Sequence, residues 1–415
     1  MRKTAIFLFF FFIIGIFYRL AFITLFPQPF IFDQGEYHDA AVGLIRDIFY
    51  VDSHRSYGYP LMIALSYKLL GGSFFSWKLM QAVLDAASAV LVYFLGKRIF
   101  GQEKIAVLSF FLCLLNPITT AMVGVALSEV TQGFFLTFYF LLLLLFLTKQ
   151  KIIYALLLAL VSGFLPQVRP TFVIFTALVL VFVIYKVLVC YKKILAKILV
   201  VFLVLCVYLL PFLYATVSNW RGYRQLSPLT VDNLFVREFY ISLYIDRNIN
   251  GKPPVIPPQV TQIYQEYSLP TTAVARKEMA DKYFRLSLER IKEDPKKFVS
   301  DRLLKLWWVW EKHAVLIYSP LQSEFWHQVI YWGNVILLGV AGAGFVFWWR
   351  SRDRNVWFGR AYVFLLAYIS VTYAFAMTDG RFSIPVYPLI FLFGGYGIVK
   401  IGEKLSHLRS LGHLG

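Results

Sequence analysis

The run Thr4–Phe26, TAIFLFFFFIIGIFYRLAFITLF, carries Arg19 as its one charge. At about 1.5 Å per helical residue it can cross a hydrocarbon core of roughly 30 Å. Arg2 and Lys3 before it place the N-terminus on the inner side by the positive-inside rule. A cleaved leader would have a shorter apolar core and a small-x-small site, whereas Phe26-Pro-Gln-Pro-Phe30 follows here, so the run reads as a retained anchor. Arg19, near its outer end, either snorkels to the interface or pairs inside a bundle.

Outward from that anchor lies Ile31–Leu44, IFDQGEYHDAAVGL, which sets Asp33, Glu36, His38 and Asp39 just beyond the apolar run. An ionised carboxylate is costly in hydrocarbon. This acidic group therefore either begins a solvated interfacial helix or faces a substrate arriving at that surface.

Composition extends the membrane reading to the whole chain. Of 415 residues, 59% are hydrophobic and 15% charged, with a mean hydropathy of +0.65, which excludes a soluble globular protein. The formal net charge of +18 would suit a nucleic-acid binder. Many of the bases, however, stand in short clusters at the ends of apolar runs, where they orient spans, and no nucleic-acid partner is expected. Cys113, Cys190 and Cys206 lie in apolar runs, so neither a disulfide framework nor a cysteine metal site is implied.

The expected architecture is an all-α polytopic membrane protein with about ten transmembrane helices and both termini cytoplasmic. Residues 1–214 form a transmembrane module with its first external loop at 28–76; 215–325 form an external, mostly helical insertion; 326–415 form C-terminal transmembrane helices. In the first loop, Glu36–Ile48 reads as a helix lying in the interface, and a second short helix begins at Pro60 and stops at Gly71-Gly72. Spans are expected at Trp77–Leu95, at Ile105–Val123 with a break at Asn116-Pro117, and at Leu127–Leu147. Ile152–Phe164 and Thr171–Leu188 form a hairpin with Arg169 at its outer tip, and Ile194–Tyr214 leads out again. Within the insertion, Lys252–Pro258 is expected to be extended, and Thr272–Lys292 and Pro295–Trp310 helical. Trp307, Trp308 and Trp310 lie either against headgroups or against sugar. His327–Trp349, Ala361–Met377 and a last span ending near Ile401 complete the chain.

Sorted by side, Asp33, Glu36, Arg55, Glu129, Arg169, Asp379 and Arg381 all fall at the outer face. Cations beside carboxylates can hold an anionic head group while a carboxylate takes a proton from an attacking hydroxyl. Singly, each arginine also reads as an interfacial anchor; it is their convergence that points to an enzyme. Asp85, inside the second span, must face the bundle interior, where it either makes a structural hydrogen bond or serves the site.

Several short stretches carry a family resemblance: Asp33-x-x-Glu36-Tyr37, Arg55-x-x-Gly58-Tyr59-Pro60, Leu84-Asp85, Leu127-Ser128-Glu129, Val168-Arg169-Pro170, Asn219-Trp220-Arg221 and Arg381-x-x-x-Pro385-x-x-Pro388. In this order and sidedness the chain resembles the integral-membrane glycosyltransferases of the GT-C class that use a polyprenyl-phosphate sugar, including the protein O-mannosyltransferases and the aminoarabinose transferases. The resemblance implies that an acceptor hydroxyl attacks the anomeric carbon of a lipid-phosphate sugar at the outer leaflet of the plasma membrane, inverting it and releasing polyprenyl phosphate.

It further implies Asp33 as general base, with Glu129 a second catalytic carboxylate that orients acceptor or sugar. Arg55, Arg169 and Arg381 are implied as donor-phosphate contacts, with Glu36, Tyr37, Tyr59 and Asp85 as substrate-binding positions. No metal or other cofactor is expected. Expected partners are the lipid-linked donor, membrane lipids and a glycan, lipid or protein acceptor. The chain departs from the protein mannosyltransferases by reading Asp33-Gln34 where they carry an Asp-Glu pair. Two other classes suit the same composition: a lipid flippase or transporter, and a glycan ligase or polymerase drawing on a diphosphate carrier. The first would show inverted repeats, and none is visible.

Overall fold

The computed structural model describes residues 2–190, 193–232, 234–245, 256–268, 272–318, 323–352 and 354–412. Among these, every regular element is a helix. The apolar run at the N-terminus forms α1 (Arg2–Leu25), and the first loop supplies α2 (Asp33–Arg46) and α3 (Gly58–Leu70). The interfacial helix thus begins at Asp33, three residues before the expected Glu36, and α3 ends at Gly71 in a positive-φ conformation that glycine adopts freely.

The bundle continues through α4 (Phe74–Phe100), α5 (Glu103–Leu114), α6 (Pro117–Met122), α7 (Glu129–Lys149), α8 (Ile152–Val168), α9 (Val173–Cys190) and α10 (Ile194–Tyr223). Eight helical segments among the described residues are long and apolar enough to cross a membrane, fewer than the ten expected. The two shortfalls have local causes. Asn116 ends the third expected span by accepting hydrogen bonds from Ile118 N at 3.0 Å and Thr119 N at 3.2 Å, with Pro117 starting a new turn. That leaves α5 at 12 residues. α8 is apolar throughout but stops after 17 residues, where the chain turns extended at Arg169.

α10 runs to Tyr223, past the expected boundary at 214, and Pro211 is accommodated inside it. The insertion then folds as α11 (Leu234–Ile241), α12 (Pro258–Ser268), α13 (Ala273–Glu293) and α14 (Pro295–Trp308). The last two match expectation because Thr272 and Asp294 cap their N-termini. Of the extended segment expected at 252–258, residues 252–255 lie outside the described residues. The remaining helices are α15 (Glu324–Trp349), α16 (Val356–Ala374) and α17 (Tyr387–Gly412), the last preceded by a 3-10 turn at Gly380–Val386.

The insertion is tied to the bundle by two buried cations of α14. Arg302 donates to Ser242 Oγ and Ser242 O at 2.9 Å and to Ala374 O at 2.7 Å, and Lys305 Nζ donates to Ser242 O at 2.7 Å. The end of α11 is thereby fastened to the end of α16. Trp310, on the same side, donates to Ser370 Oγ of α16 at 2.8 Å, while Trp307 stays exposed.

Candidate active site

Both carboxylates that matter open a helix. Asp33 is the first residue of α2 and Glu129 the first of α7, so each stands beside the unpaired peptide N–H groups of a helix start. Phe32, just before Asp33, holds φ at 56°, an uncommon conformation for a non-glycine residue and one that concentrates at functional sites. The three arginines come from breaks between helices: Arg55 from the loop before α3, Arg169 from the extended residue after α8, and Arg381 from the 3-10 turn before α17.

These five groups share one cavity of about 900 Å³. Arg55 Nη2 lies 2.9 Å from Asp33 Oδ1, and Arg381 Nη2 lies 3.3 Å from Asp33 Oδ2, so a guanidinium engages each oxygen of the carboxylate. Glu129 Oε1 sits 3.4 Å from Arg169 Nη1 and 3.8 Å from Arg381 Nε. Arg169 is further fixed over the Phe382 ring at 4.7 Å, Arg55 over the Tyr37 ring at 5.0 Å, and Arg381 donates to Tyr318 OH at 3.1 Å. Asp379 accepts from Arg381 N at 2.9 Å, which shapes the 3-10 turn that aims the guanidinium inward.

The electrostatics follow from this wiring. Burial works to raise the Asp33 carboxyl, but Arg55 and Arg381 outweigh it and hold Asp33 below the ordinary carboxylate range. Burial likewise opposes charge on Arg55, and Tyr37, Asp33 and Glu36 more than restore it. Asp33 is therefore a stable carboxylate and Arg55 a stable cation. Three guanidiniums, Arg55, Arg169 and Arg381, thus converge on one cavity, where their N–H groups are shared among Asp33, Glu129, Glu36 and Asp379 and can be exchanged for the oxygens of a bound anion.

Two buried glutamines brace the carboxylates. Gln34 Nε2 donates to Pro29 O at 3.0 Å and Ile31 O at 3.1 Å, while its Oε1 accepts from Ala126 N at 2.8 Å. Gln81 Nε2 donates to Val123 O at 3.2 Å and Val125 O at 2.8 Å. The loop that delivers Glu129 is thus fastened to α2 and α4. Gln34 is both donor and acceptor here, which a glutamate at this position cannot be when ionised. Close packing completes the frame: a Cβ at Gly58 would come within 2.6 Å of the Gln167 carbonyl, so glycine is what lets the Arg55 loop approach the Arg169 corner.

Not every residue expected at the site is there. Asp85 is taken up inside the bundle, where its Oδ2 accepts from Arg19 Nε at 2.7 Å, and it does not line the cavity. The partner comes from α1, which faces α4 and can cancel the charge without solvent. Tyr59 is fully buried behind the cavity, its hydroxyl 3.3 Å from Gln81 Oε1. Glu36 stands at the rim, bonded to Arg55 Nε at 2.7 Å with its side chain half exposed. Tyr37 lines the cavity as expected.

Other lining residues had no signal in the sequence. His54, Asp232, Arg237, Glu238 and Tyr264 form a second wall, contributed mainly by the insertion. A third side is apolar, formed by Val173 and Ile174 of α9 with Tyr368, Val371 and Phe375 at the end of α16. Ile174 and Val371 are also more than half exposed on the outer surface of the bundle.

Residues 54–214 match the sequence model of the family described as dolichyl-phosphate-mannose-protein mannosyltransferase. That stretch carries Arg55, Glu129 and Arg169. Among solved structures, the chain is similar in fold to the oligosaccharyltransferase of Archaeoglobus fulgidus, determined in complex with Zn and sulfate, with a TM-score of 0.50 and 13% identity. That alignment covers 97% of this chain and 50% of the other, so the chain spans half the length of that enzyme. ArnT of Cupriavidus metallidurans matches at TM-scores of 0.38 bound to undecaprenyl phosphate and 0.40 in the apo state, each with 11% identity. Those alignments cover 97% and 95% of this chain and 79% and 77% of ArnT. No curated protein sequence matches. The resemblance to membrane glycosyltransferases carried by the short motifs is thus shared by the family match and by the fold.

Proposed function

We propose that this protein is an inverting glycosyltransferase that takes a sugar from a polyprenyl-phosphate donor and passes it to an acceptor hydroxyl at the extracytoplasmic face of the membrane. The observation that carries the reading is the clasp on Asp33: one carboxylate held between Arg55 and Arg381 in a cavity that also contains Arg169. Guanidinium groups are bidentate phosphate partners that stay charged when desolvated. The apolar side between α9 and α16, continuous with the bundle's outer surface, gives a polyprenyl chain a way to reach them from the bilayer.

In this mechanism the donor phosphate takes N–H groups of Arg55, Arg169 and Arg381. The acceptor oxygen attacks the anomeric carbon, Asp33 takes the hydroxyl proton, and the bond from that carbon to the phosphate oxygen breaks with its electrons staying on the phosphate. Charge developing on the leaving group meets cations already in place. The N–H groups a phosphate would take are the ones that hold Asp33, so donor binding loosens the clasp and adds negative charge nearby. Both effects raise the basicity of Asp33, so that the base becomes effective when the donor is present. Glu129 keeps Arg169 and Arg381 apart and aimed. The guanidiniums supply the positive charge, so activity should survive exhaustive treatment with EDTA.

The test is to incubate the purified chain with polyprenyl-phosphate mannose, glucose and arabinose and to follow release of polyprenyl phosphate, with Asp33→Asn as control. Release by wild type and its loss in the variant support the reading. Absence of release together with movement of intact lipid across vesicle membranes would replace it with a flippase, and release of a diphosphate carrier would replace it with a ligase.

A further inference from the structure

The second wall of the cavity is built after α10 and is laced firmly to the bundle. Asn219 Nδ2 donates to Ser227 O at 2.8 Å and Leu229 O at 2.6 Å, and Gln167 Nε2 donates to Pro228 O at 2.9 Å. Ser227 Oγ donates to Thr230 O at 2.6 Å, Thr230 Oγ1 to Asp232 O at 3.2 Å, and Asp232 N to Ser53 O at 3.3 Å. From this base rise Asp232, whose carboxylate meets His54 Nε2 at 3.3 Å and Arg276 Nη1 at 2.6 Å, and the Arg237–Glu238 pair at 3.0 Å. Tyr264 of α12 stands beside them, its ring 5.9 Å from the Arg237 guanidinium.

We infer that this wall is the acceptor subsite, that it takes a neutral, hydroxyl-rich saccharide, and that it presents one of the sugar hydroxyls to Asp33. The inference rests on the transferase reading above. Three observations choose the ligand. The charges of this wall cancel in separate pairs, Arg237 against Glu238 and Arg276 against Asp232, whereas on the bundle wall three guanidiniums converge and supply the N–H groups that an anion takes. Carboxylate acceptors alternate with guanidinium, imidazole and phenol donors, which suits hydroxyls that both give and take a hydrogen bond, and the Tyr264 and Phe235 rings offer apolar faces to sugar C–H groups.

The third observation disfavours a peptide. An extended peptide is captured by unpaired backbone groups along an edge. In the segment from Ser227 to Asp232, the carbonyls of Ser227, Pro228, Leu229, Thr230 and Asp232 already accept bonds from within the protein. A lipid tail would instead seek the apolar side at α9 and α16.

The experiment measures lipid-phosphate release from the same donors by the full chain in nanodiscs, in the presence of methyl hexosides with β-linked di- and trisaccharides, a Ser/Thr-rich peptide, or phosphatidylglycerol vesicles. Saccharides are expected to accelerate release and to appear glycosylated. Glu238→Gln should raise the KM for the saccharide about tenfold while the KM for the donor moves less than about twofold. Tyr264→Phe, a milder change, should shift the same constant in the same direction, and undecaprenyl phosphate binding reports that both variants are folded. Acceleration by the peptide or the vesicles alone, or an unchanged saccharide KM in both variants, overturns the inference while leaving the transferase reading intact. Failure of wild type to release lipid phosphate under every condition removes the transferase reading itself.

Discussion

The Arg19–Asp85 pair and the cluster around Asp33 differ in a way that separates architecture from chemistry. Arg19 and Asp85 meet at 2.7 Å between α1 and α4, with side chains 0% and 6% exposed. Asp33 meets Arg55 and Arg381 at 2.9 and 3.3 Å, with side chains 31%, 17% and 13% exposed. The bond chemistry is the same. The first pair is one-to-one and sealed, so its charges are spent on each other. The second is a shared network, with each guanidinium divided among several carboxylates, and it opens on a cavity, so its hydrogen bonds can be traded for those of a ligand. A charged residue beside hydrocarbon is therefore not by itself a sign of function; stoichiometry and access decide.

The largest expected effect strikes the open cluster. Asp33→Asn keeps the shape but cannot take a proton, and transfer should fall by about 10²- to 10⁴-fold, far more than the modest loss of melting temperature from its ion pairs would explain. Retention of more than a tenth of the rate would show that Asp33 is not the base. The pH profile sharpens the point. Because Asp33 is held below the ordinary carboxylate range, its charge and the stability drawn from its ion pairs are present at neutral pH and are lost only as pH falls through that lowered value. With donor bound, the acid limb of the rate should move to higher pH.

The sealed pair should respond the other way. Asp85→Ala leaves Arg19 buried without its partner and should cost about 3–5 kcal/mol of stability. Protein that still folds should keep its donor KM. Replacing both partners, Arg19→Met with Asp85→Leu, should recover most of the loss, since an apolar pair of similar volume suits the bundle interior. A double variant that is stable but inactive would return Asp85 to the site.

A smaller effect tests access. Arg381→Lys keeps the charge but loses the planar fork that reaches Asp33, Asp379 and Glu129 together, so donor KM should rise about tenfold, with stability changed by less than about 1 kcal/mol. Gln34→Glu should cost less again. It removes two donors to Pro29 and Ile31, and a modest fall in both melting temperature and rate is expected, reversed in Gln34→Glu at low pH where the acid regains one donor.

These contrasts also explain what could be seen in the sequence. Glu129, Arg169 and Arg381 were legible because each stands at the end of an apolar run, and Asp33 and Arg55 because they fall in the loop between the first two spans, where span polarity assigns the side without knowledge of packing. Asp85 was misplaced for the converse reason: a carboxyl within a span must face inward, but the choice between Arg19 and the cavity depends on how α4 is rotated against α1, which hydropathy does not encode. The second wall was invisible because α11 and α12 are short and mixed in charge, and Arg237 or Tyr264 there reads like any solvated residue. The third expected span reads as one apolar run because apolar residues continue past Asn116-Pro117; the Asn116 side chain, which caps the start of the next helix, divides that run into α5 and α6.

Lys312 is a third kind of buried charge and sets the smallest prediction. Its amine bonds Ser383 Oγ at 2.8 Å and backbone carbonyls where the other clusters have carboxylates. Burial, outweighing the pull of Asp379 and Glu311, lowers it from the ordinary lysine range to about 7. From there up to the ordinary value near 10.5, the unfolded chain binds a proton that the folded chain does not, so stability rises with pH across that window. Below about 7 both states are protonated and folding carries the whole penalty of burying the charge. The melting temperature should therefore climb between pH of about 7 and about 9.5, and Lys312→Met, which keeps the stem and removes the charge, should flatten the climb. An unchanged slope in that variant would mean the amine stays charged, and that hydroxyl and carbonyl oxygens can hold a buried cation as well as a carboxylate does.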